Sequence, residues 1–536
     1  MNILKKNTYE ILLFLVVVFI VFVIKPFGEF AVNDDWYYHA SLNKLVSGDF
    51  NFDSRITPSL TGQLIYTYFP QKISKDYSFV TAKLSVFILS VILIYFLFSL
   101  FVKIGVRKKL SFLLCLLVYS NPIFLYLSLT YMTDIPALSF IIIGIYFTYK
   151  GLQQSRYLPI SIGLLLWVYA TFIRQTSIII LLMFCALFLW EKRKTIILKD
   201  IIVTGLPIAV FFIFYILLLH VGWWPISDVY FHLPKTPEST LLNVHKSLNN
   251  YIVYYSLFLS PLILSYTFTN KQKIFSTGLS ILLLVHYYIF TFLGSLEFRP
   301  WGNIINEFGI GPRSELLSGS PPEVFSYIFW IVVFISGIVL FPYFLCIIFD
   351  VLKNRARSVD RFFSGFLVGC FVIINFVNAF IFNFDRYILV PFVLLIIAFA
   401  FKINDIFFVW KFSSFLALLL IAVLSVLGVS DVMKDTKIRW EAAENIQKQG
   451  VEIKDIDGGY EWLGWKYYDS TKNKPPVIDL NNPWYIRRLF PDNSREYVVS
   501  YDEEITGYRL IENSTYFGKL MMGNINIYTH KREDDI

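Results

Sequence analysis

Tyr9-Glu10-Ile11-Leu12-Leu13-Phe14-Leu15-Val16-Val17-Val18-Phe19-Ile20-Val21-Phe22-Val23-Ile24 is followed shortly by Asn33-Asp34-Asp35-Trp36-Tyr37-Tyr38-His39. The first stretch approaches the roughly 20 apolar residues that a bilayer crossing takes. The second sets two adjacent carboxylates among aromatic side chains at the edge of that crossing. Neighbouring carboxylates beside hydrocarbon repel each other and resist ionisation, so one of them can keep a raised pKa and serve as a base or metal ligand. A polar loop that simply ends a helix accounts for the same residues.

Working outward, the whole chain follows the first run. Of its 536 residues 56% are hydrophobic and 19% aromatic, while only 16% are charged, and the mean hydropathy is +0.59. That is too much apolar surface for a water-soluble globule of this length, so the expected class is a polytopic α-helical membrane protein. The net charge of +8 comes from short Lys/Arg clusters between apolar runs, which reads as a topology signal and not as a nucleic-acid surface. Cys115, Cys185, Cys346 and Cys370 lie inside apolar runs without paired spacing, as buried thiols do. The first run lacks a small-residue cleavage site near its end and is read as a retained span.

Apolar runs recur at 9–25, 79–102, 110–127, 134–149, 158–173, 177–190, 201–221, 251–269, 274–294, 325–349, 362–382, 387–401 and 412–429, which predicts about thirteen spans. The basic clusters fall on alternate connections, from Lys5 and Lys6 onward, and the positive-inside rule makes that side cytoplasmic. The N-terminus is then cytoplasmic. The mixed loops 26–78, 222–250 and 295–324 face outward, as does the C-terminus. Residues 1–429 form the predicted membrane domain. From 430 to 536 charge rises and Asn, Gly and Pro appear, with strand-like segments at Tyr497 to Tyr501 and Ile525 to Tyr528. A small extracytoplasmic α/β domain is predicted there, led by a helix from Asp431 to Gln449 that ends at Gly450.

On this topology the isolated ionisable residues collect at the outer boundary: Asp34 and Asp35, Asp134, Arg174, and Asp385-Arg386. A charge at membrane depth costs roughly 2.5–3.5 kcal/mol on insertion scales, so such groups are paired or line a polar cavity. Acidic and basic groups together suit an anionic substrate and a proton or metal. Each has a plainer reading. Asp134-Ile135-Pro136 is a good helix start, Arg174 can snorkel to headgroups although Gln175 and Thr176 add donors, and Asp385-Arg386 can be a local ion pair. His39, His232 and His245 lack metal-ligand spacing and read more simply as surface imidazoles. The external loops carry aromatics and amides, among them Trp223, Trp224, His232, Trp301, Asn303, Asn306, Glu307, Arg313 and Glu315. These fit a sugar-binding chamber or an interfacial aromatic belt equally well.

Four segments resemble motifs of the GT-C superfamily of polyprenyl-phosphate-sugar-dependent glycosyltransferases, in particular the bacterial branch with protein mannosyltransferases and lipid A aminoarabinose transferase. Asp34-Asp35-Trp36-Tyr37-Tyr38 is similar to the acidic first-loop motif, with Asp35 where Glu is usual. Tyr131-Met132-Thr133-Asp134-Ile135-Pro136 resembles a recurrent Met-Thr-acid-Xaa-Pro segment, and Arg174-Gln175-Thr176 an Arg-Gln-Thr stretch. Asp385-Arg386-Tyr387-Ile388-Leu389-Val390-Pro391 resembles Arg-Tyr-Leu-Leu-Pro with one residue inserted. Tyr460-Glu461-Trp462-Leu463-Gly464-Trp465 is similar to a phrase in some external domains. Thr57 stands where many members have a donor-contacting Lys, with Arg55 as the nearest substitute.

The resemblance implies a GT-C fold and an inverting transfer of sugar from a polyprenyl-phosphate donor to an extracytoplasmic lipid, glycan or protein acceptor, in a bacterial inner membrane. Asp34 and Asp35 would be catalytic, and Arg174, Arg386 and Arg55 would bind the donor phosphate. Tyr38, His39, Asp134, Gln175, Asp385, His232 and Trp301 would contact substrate. No cofactor is fixed by the sequence; a divalent cation, Mg or Mn, is a candidate near Asp34, Asp35 or His232. The competing classes are a flippase or exporter of lipid-linked saccharides, and a polysaccharide polymerase or ligase.

Overall fold

The computed structural model describes residues 7–50, 61–221, 236–292, 299–300, 302–353, 358–380, 384–403, 410–471, 474–476 and 482–533. Seven of its helices are long and apolar enough to cross a membrane: Phe79–Ile104, Asp134–Gln154, Leu198–His220, Tyr327–Leu352, Val359–Phe380, Asp385–Ile403 and Phe412–Lys448. Apolar side chains such as Phe19, Phe22, Ile216 and Ile328 stand more than half exposed on the helix surfaces. Water would penalise such a surface and lipid does not, so the chain is an integral membrane protein.

The expected thirteen crossings exceed what helix length and composition establish. Run 110–127 is a pair of helices, Lys108–Tyr119 and Pro122–Ser128, bent by 73°. The bend follows from Pro122, which has no amide hydrogen to give, and from Asn121, whose Oδ1 caps the amides of Ile123 and Phe124. Runs 9–25, 158–173 and 177–190 form the shorter apolar helices Thr8–Ile24, Tyr157–Thr171 and Gln175–Glu191. Run 251–269 is divided between Pro237–Phe258 and Ser260–Ser265, and 274–294 lies largely in Asn270–Phe292. Within the loop 26–78 two helices form, Asp35–Ser47 and Thr61–Ser74.

Two packing features position the site. Helices Asp134–Gln154 and Tyr157–Thr171 approach through glycine: a Cβ on Gly144 would meet Trp167 Nε1 at 2.4 Å and the Gly163 carbonyl at 2.9 Å. This close approach carries Asp134 and Arg174 toward each other. The second feature is Phe412–Lys448, a single helix of 37 residues that spans about 55 Å at 1.5 Å per residue. It passes through 429–430 without a break, so composition changes at the predicted domain boundary while the backbone does not.

Beyond it lies a four-stranded sheet of order β1-β2-β4-β3, with β1 Ile456–Asp457, β2 Tyr497–Ser500, β3 Tyr508–Gly518 and β4 Gly523–Arg532. β1 and β2 are parallel and the other pairs antiparallel. The sheet docks on the C-terminal half of helix Phe412–Lys448 through buried polar groups. Asp435 accepts hydrogen bonds from Tyr501 and Tyr516, and Asp431 from the amides of Lys519 and Leu520. All four cysteines are free and buried.

Candidate active site

Asn33 adopts a left-handed φ of 57°, which asparagine tolerates better than most residues, and the chain then enters helix Asp35–Ser47. Asp34 and Asp35 therefore occupy the N-cap and first position of one helix, and consecutive helical side chains point roughly 100° apart. The two carboxylates diverge. Asp35 is buried and accepts the amides of Val32 (3.3 Å) and Tyr131 (2.8 Å). Burial pushes its pKa up to about 7, against the opposing pull of Lys83 and those amides. Asp34 is half-buried, and its Oδ1 accepts a 2.9 Å hydrogen bond from the Tyr460 hydroxyl. Asp35 thus ties the first loop to Tyr131, while Asp34 is left half-buried against the Tyr460 hydroxyl.

The remaining motif residues close a ring of contacts. Asp134 opens its helix, but Thr133 is the N-cap and the Asp134 side chain makes no capping bond. Instead Asp134 Oδ1 pairs with Arg174 Nη1, and its Oδ2 is buried with no partner among the described residues. Arg174 stacks on Tyr387, guanidinium carbon to ring centroid 5.2 Å. Arg386 lies over the same ring at 5.6 Å, and its buried Nε has no hydrogen-bond partner among the described residues. Tyr38, one helical turn beyond Asp34, is buried among these groups. Burial first, then Asp34, raises its pKa, while Arg386 and Arg174 draw it down. One phenol thus feels Asp34, Asp134, Arg174 and Arg386 at once.

The third loop, 295–324, adds a carboxyl. Glu315 has its pKa raised by burial and by Asp34, with Arg386 acting against both. It lines a cavity of about 220 Å³ with Arg299, Asn303, Asn306, Glu307 and Ser314. Asp385 holds this loop: its carboxylate accepts the amides of Ile304 (3.0 Å), Ile305 (2.7 Å) and Arg386 (2.8 Å). Fully buried and engaged by backbone amides, Asp385 anchors the loop.

His39 is 1% exposed, with its ring against Phe79 at 4.4 Å and Trp465 at 5.2 Å. Burial lowers its pKa to about 4. It is a packed aromatic-cluster member and not the surface imidazole of the plain reading. Gln175 is half-buried at the start of the 3₁₀ turn after Arg174. Arg55, His232 and Trp301 lie outside the described residues. Among the described residues no group of three or more His, Cys, Asp or Glu side chains is placed to hold a metal.

The tail's share in the site escaped the sequence reading. Glu461 accepts the Asn33 amide at 3.0 Å and pairs with buried Arg439 at 2.9 Å. Gly464 admits the ring of Trp36, since a Cβ there would sit 2.2 Å from it. The one signal was Tyr460-Glu461-Trp462-Leu463-Gly464-Trp465 itself, a cluster of aromatics and one acid in an otherwise polar tail.

A scan against known protein families finds no match to this chain. A search of curated protein sequences likewise finds none. The reading of the site therefore rests on its own chemistry.

On one side of the third loop lies an apolar groove of about 280 Å³, walled by Tyr254, Phe258, Phe329, Trp330, Leu420 and Leu424 and roofed by Ile305 and Ile310. The Ile305 amide at its roof is one that Asp385 holds, and Arg386 is the next residue. Consecutive residues of this loop, Ile305 and Asn306, thus line a hydrocarbon groove and the polar cavity of about 220 Å³ respectively.

Proposed function

We propose that this chain is an inverting glycosyltransferase of GT-C type that moves a sugar from a polyprenyl-phosphate donor to an extracytoplasmic acceptor. The observation that carries the reading is the convergence of two carboxylates, Asp34 and Asp134, with two guanidinium groups, Arg174 and Arg386, around Tyr38, Asp134 being paired with Arg174 and both arginines lying over Tyr387. The apolar groove beneath Ile305 supports it. A lipid-linked donor needs hydrocarbon for its chain and cations for its phosphate within one short span, and few other substrates need both.

Asp34 accepts the proton of an acceptor hydroxyl as that oxygen attacks the anomeric carbon. The bond from that carbon to the phosphate oxygen breaks on the opposite face, and polyprenyl phosphate leaves. Arg386, with an unsatisfied Nε, takes the departing charge; Arg174, already paired with Asp134, supports it. Tyr460 holds Asp34 in orientation. Arg55 is a further candidate for the phosphate. The thirteen apolar runs are all read as crossings, with the basic connections cytoplasmic and the tail outside a bacterial inner membrane.

The test is transfer by the purified chain in lipid nanodiscs from radiolabelled polyprenyl-phosphate sugars, with and without Mg or Mn. Asp34→Asn should lower turnover by about 100-fold or more. Unchanged turnover in that variant removes Asp34 from the role of base, and failure of the native chain to consume any lipid-linked donor overturns the reading.

A further inference from the structure

A second cleft, of about 420 Å³, opens between helix Asp35–Ser47 and the tail helix Tyr460–Thr471. It is separate from the site above. Tyr37, Ala40, Lys44 and Ser47 recur at helical spacing and line it, whereas Tyr38 faces the arginines from another side of the same helix. Its volume lies within the roughly 300–1,000 Å³ typical of small-ligand clefts.

The lining has a particular chemistry. Trp36, Tyr37 and Tyr468 meet edge to face, with centroids 5.0–5.6 Å apart, and Trp465 lies half-buried beside them. Trp36 and Tyr468 are the buried backing of this wall, and the half-buried Tyr37 and Trp465 are the rings a ligand can reach, π faces attracting C–H edges. Asn43 Oδ1 is buried with no hydrogen-bond partner among the described residues, an acceptor that a hydroxyl would satisfy. The charges in the lining are already matched: Lys44 with Asp469 at 4.0 Å, and Lys466 with Glu444 at 2.9 Å. A cleft with aromatic walls, amide and hydroxyl groups and no surplus charge selects an uncharged ligand rich in hydroxyls.

We propose that this cleft binds a neutral saccharide. Trp36 forms part of its wall and also packs on Tyr460 at 5.6 Å, whose hydroxyl holds Asp34. Occupancy of the cleft is therefore mechanically adjacent to the reacting carboxylate. Resting on the transferase reading, the bound saccharide is a portion of the acceptor glycan, gripped away from the bond that forms.

The experiment uses the full chain in nanodiscs on a printed array of neutral oligosaccharides, acidic oligosaccharides and peptides. The native chain should bind at least one neutral oligosaccharide. Asn43→Leu should weaken that binding tenfold or more, and Ala40→Trp, which fills the cleft, should abolish it, with amide protection of Tyr460–Thr471 retained in both. Asp34→Asn should bind as the native chain does, so failure of the transferase chemistry leaves this result standing. Binding to no neutral oligosaccharide, binding confined to acidic sugars or peptides, or binding that survives both cleft variants overturns the proposal. If both variants lose array binding yet keep the native KM for acceptor in a transfer assay, the acceptor role is overturned and the saccharide site remains.

Discussion

Replacing Arg439 by Met tests whether the tail fixes the first-loop motif in place. Arg439 is 2% exposed and gives Nε to Asp435 at 3.0 Å, Nη1 to Glu461 at 2.9 Å and Nη2 to Thr436 at 3.2 Å. At an effective dielectric of about 20 each ionic contact contributes roughly 5–6 kcal/mol before desolvation is subtracted. Removing one partner of such a buried pair costs about 3–5 kcal/mol, since the remaining charge stays buried. Asp435 keeps two tyrosine hydroxyls, but Glu461 keeps, among the described residues, the Asn33 amide alone, so the loss falls on the joint between tail and first loop. At 1.4 kcal/mol per decade the opening constant should rise by about two to nearly four orders of magnitude. Hydrogen exchange of helix Tyr460–Thr471 in nanodiscs reads this directly. Adding Glu461→Gln to Arg439→Met should recover at least about tenfold of the protection, by removing the stranded charge. Protection within about tenfold of the native chain in the single variant would refute the reasoning.

Three further outcomes follow from the same contacts. Gly464→Ala puts a methyl 2.2 Å from the Trp36 ring and should destabilise the docked tail by about 1–3 kcal/mol; an unchanged or raised melting temperature would contradict the packing. His39 has its pKa lowered from 6.5 to about 4, so the unfolded chain binds the extra proton first. Its contribution is full above pH 6.5 and is lost as pH falls toward 4, by at most about 3 kcal/mol. Asp35, raised from 3.8 to about 7, acts with the opposite sign, so the histidine effect is read as the difference in melting between native and His39→Phe chains across that window. Arg174→Lys keeps the charge but loses the fork toward Asp134 and the stacking on Tyr387; sugar transfer should fall about tenfold or more, and full activity would remove the planar group from the site.

The gathering of Asp34, Asp134, Arg174 and Arg386 around Tyr38 and Tyr387 was legible because rare charges in apolar sequence need company. The helix before Gly450 and the strands around Tyr497 and Ile525 were legible from local propensity. The divergence of Asp34 and Asp35 was within reach, because neighbours at a helix start do not face each other. Glu461 and Tyr460 were not legible as site residues: their partners lie more than 400 positions away, and no local pattern encodes such a pairing. The long strand Tyr508–Gly518 was missed because it lies at the sheet edge with mostly exposed side chains, which leaves Arg509, Glu512 and Asn513 free to blur its alternation. Asp385 read as a site carboxylate because its backbone partners belong to a loop whose path the sequence does not give.

The hydrogen bond from Tyr460 to Asp34 has a consequence for manufacture. During synthesis Asp34 emerges early, and its companion is added 426 residues later, on the order of 20–90 s at about 5–20 residues per second. Throughout that interval the nascent protein carries Asp34 without the phenol that holds it. A ribosome that stalls before Tyr460 thus releases a chain whose Asp34 lacks this long-range donor.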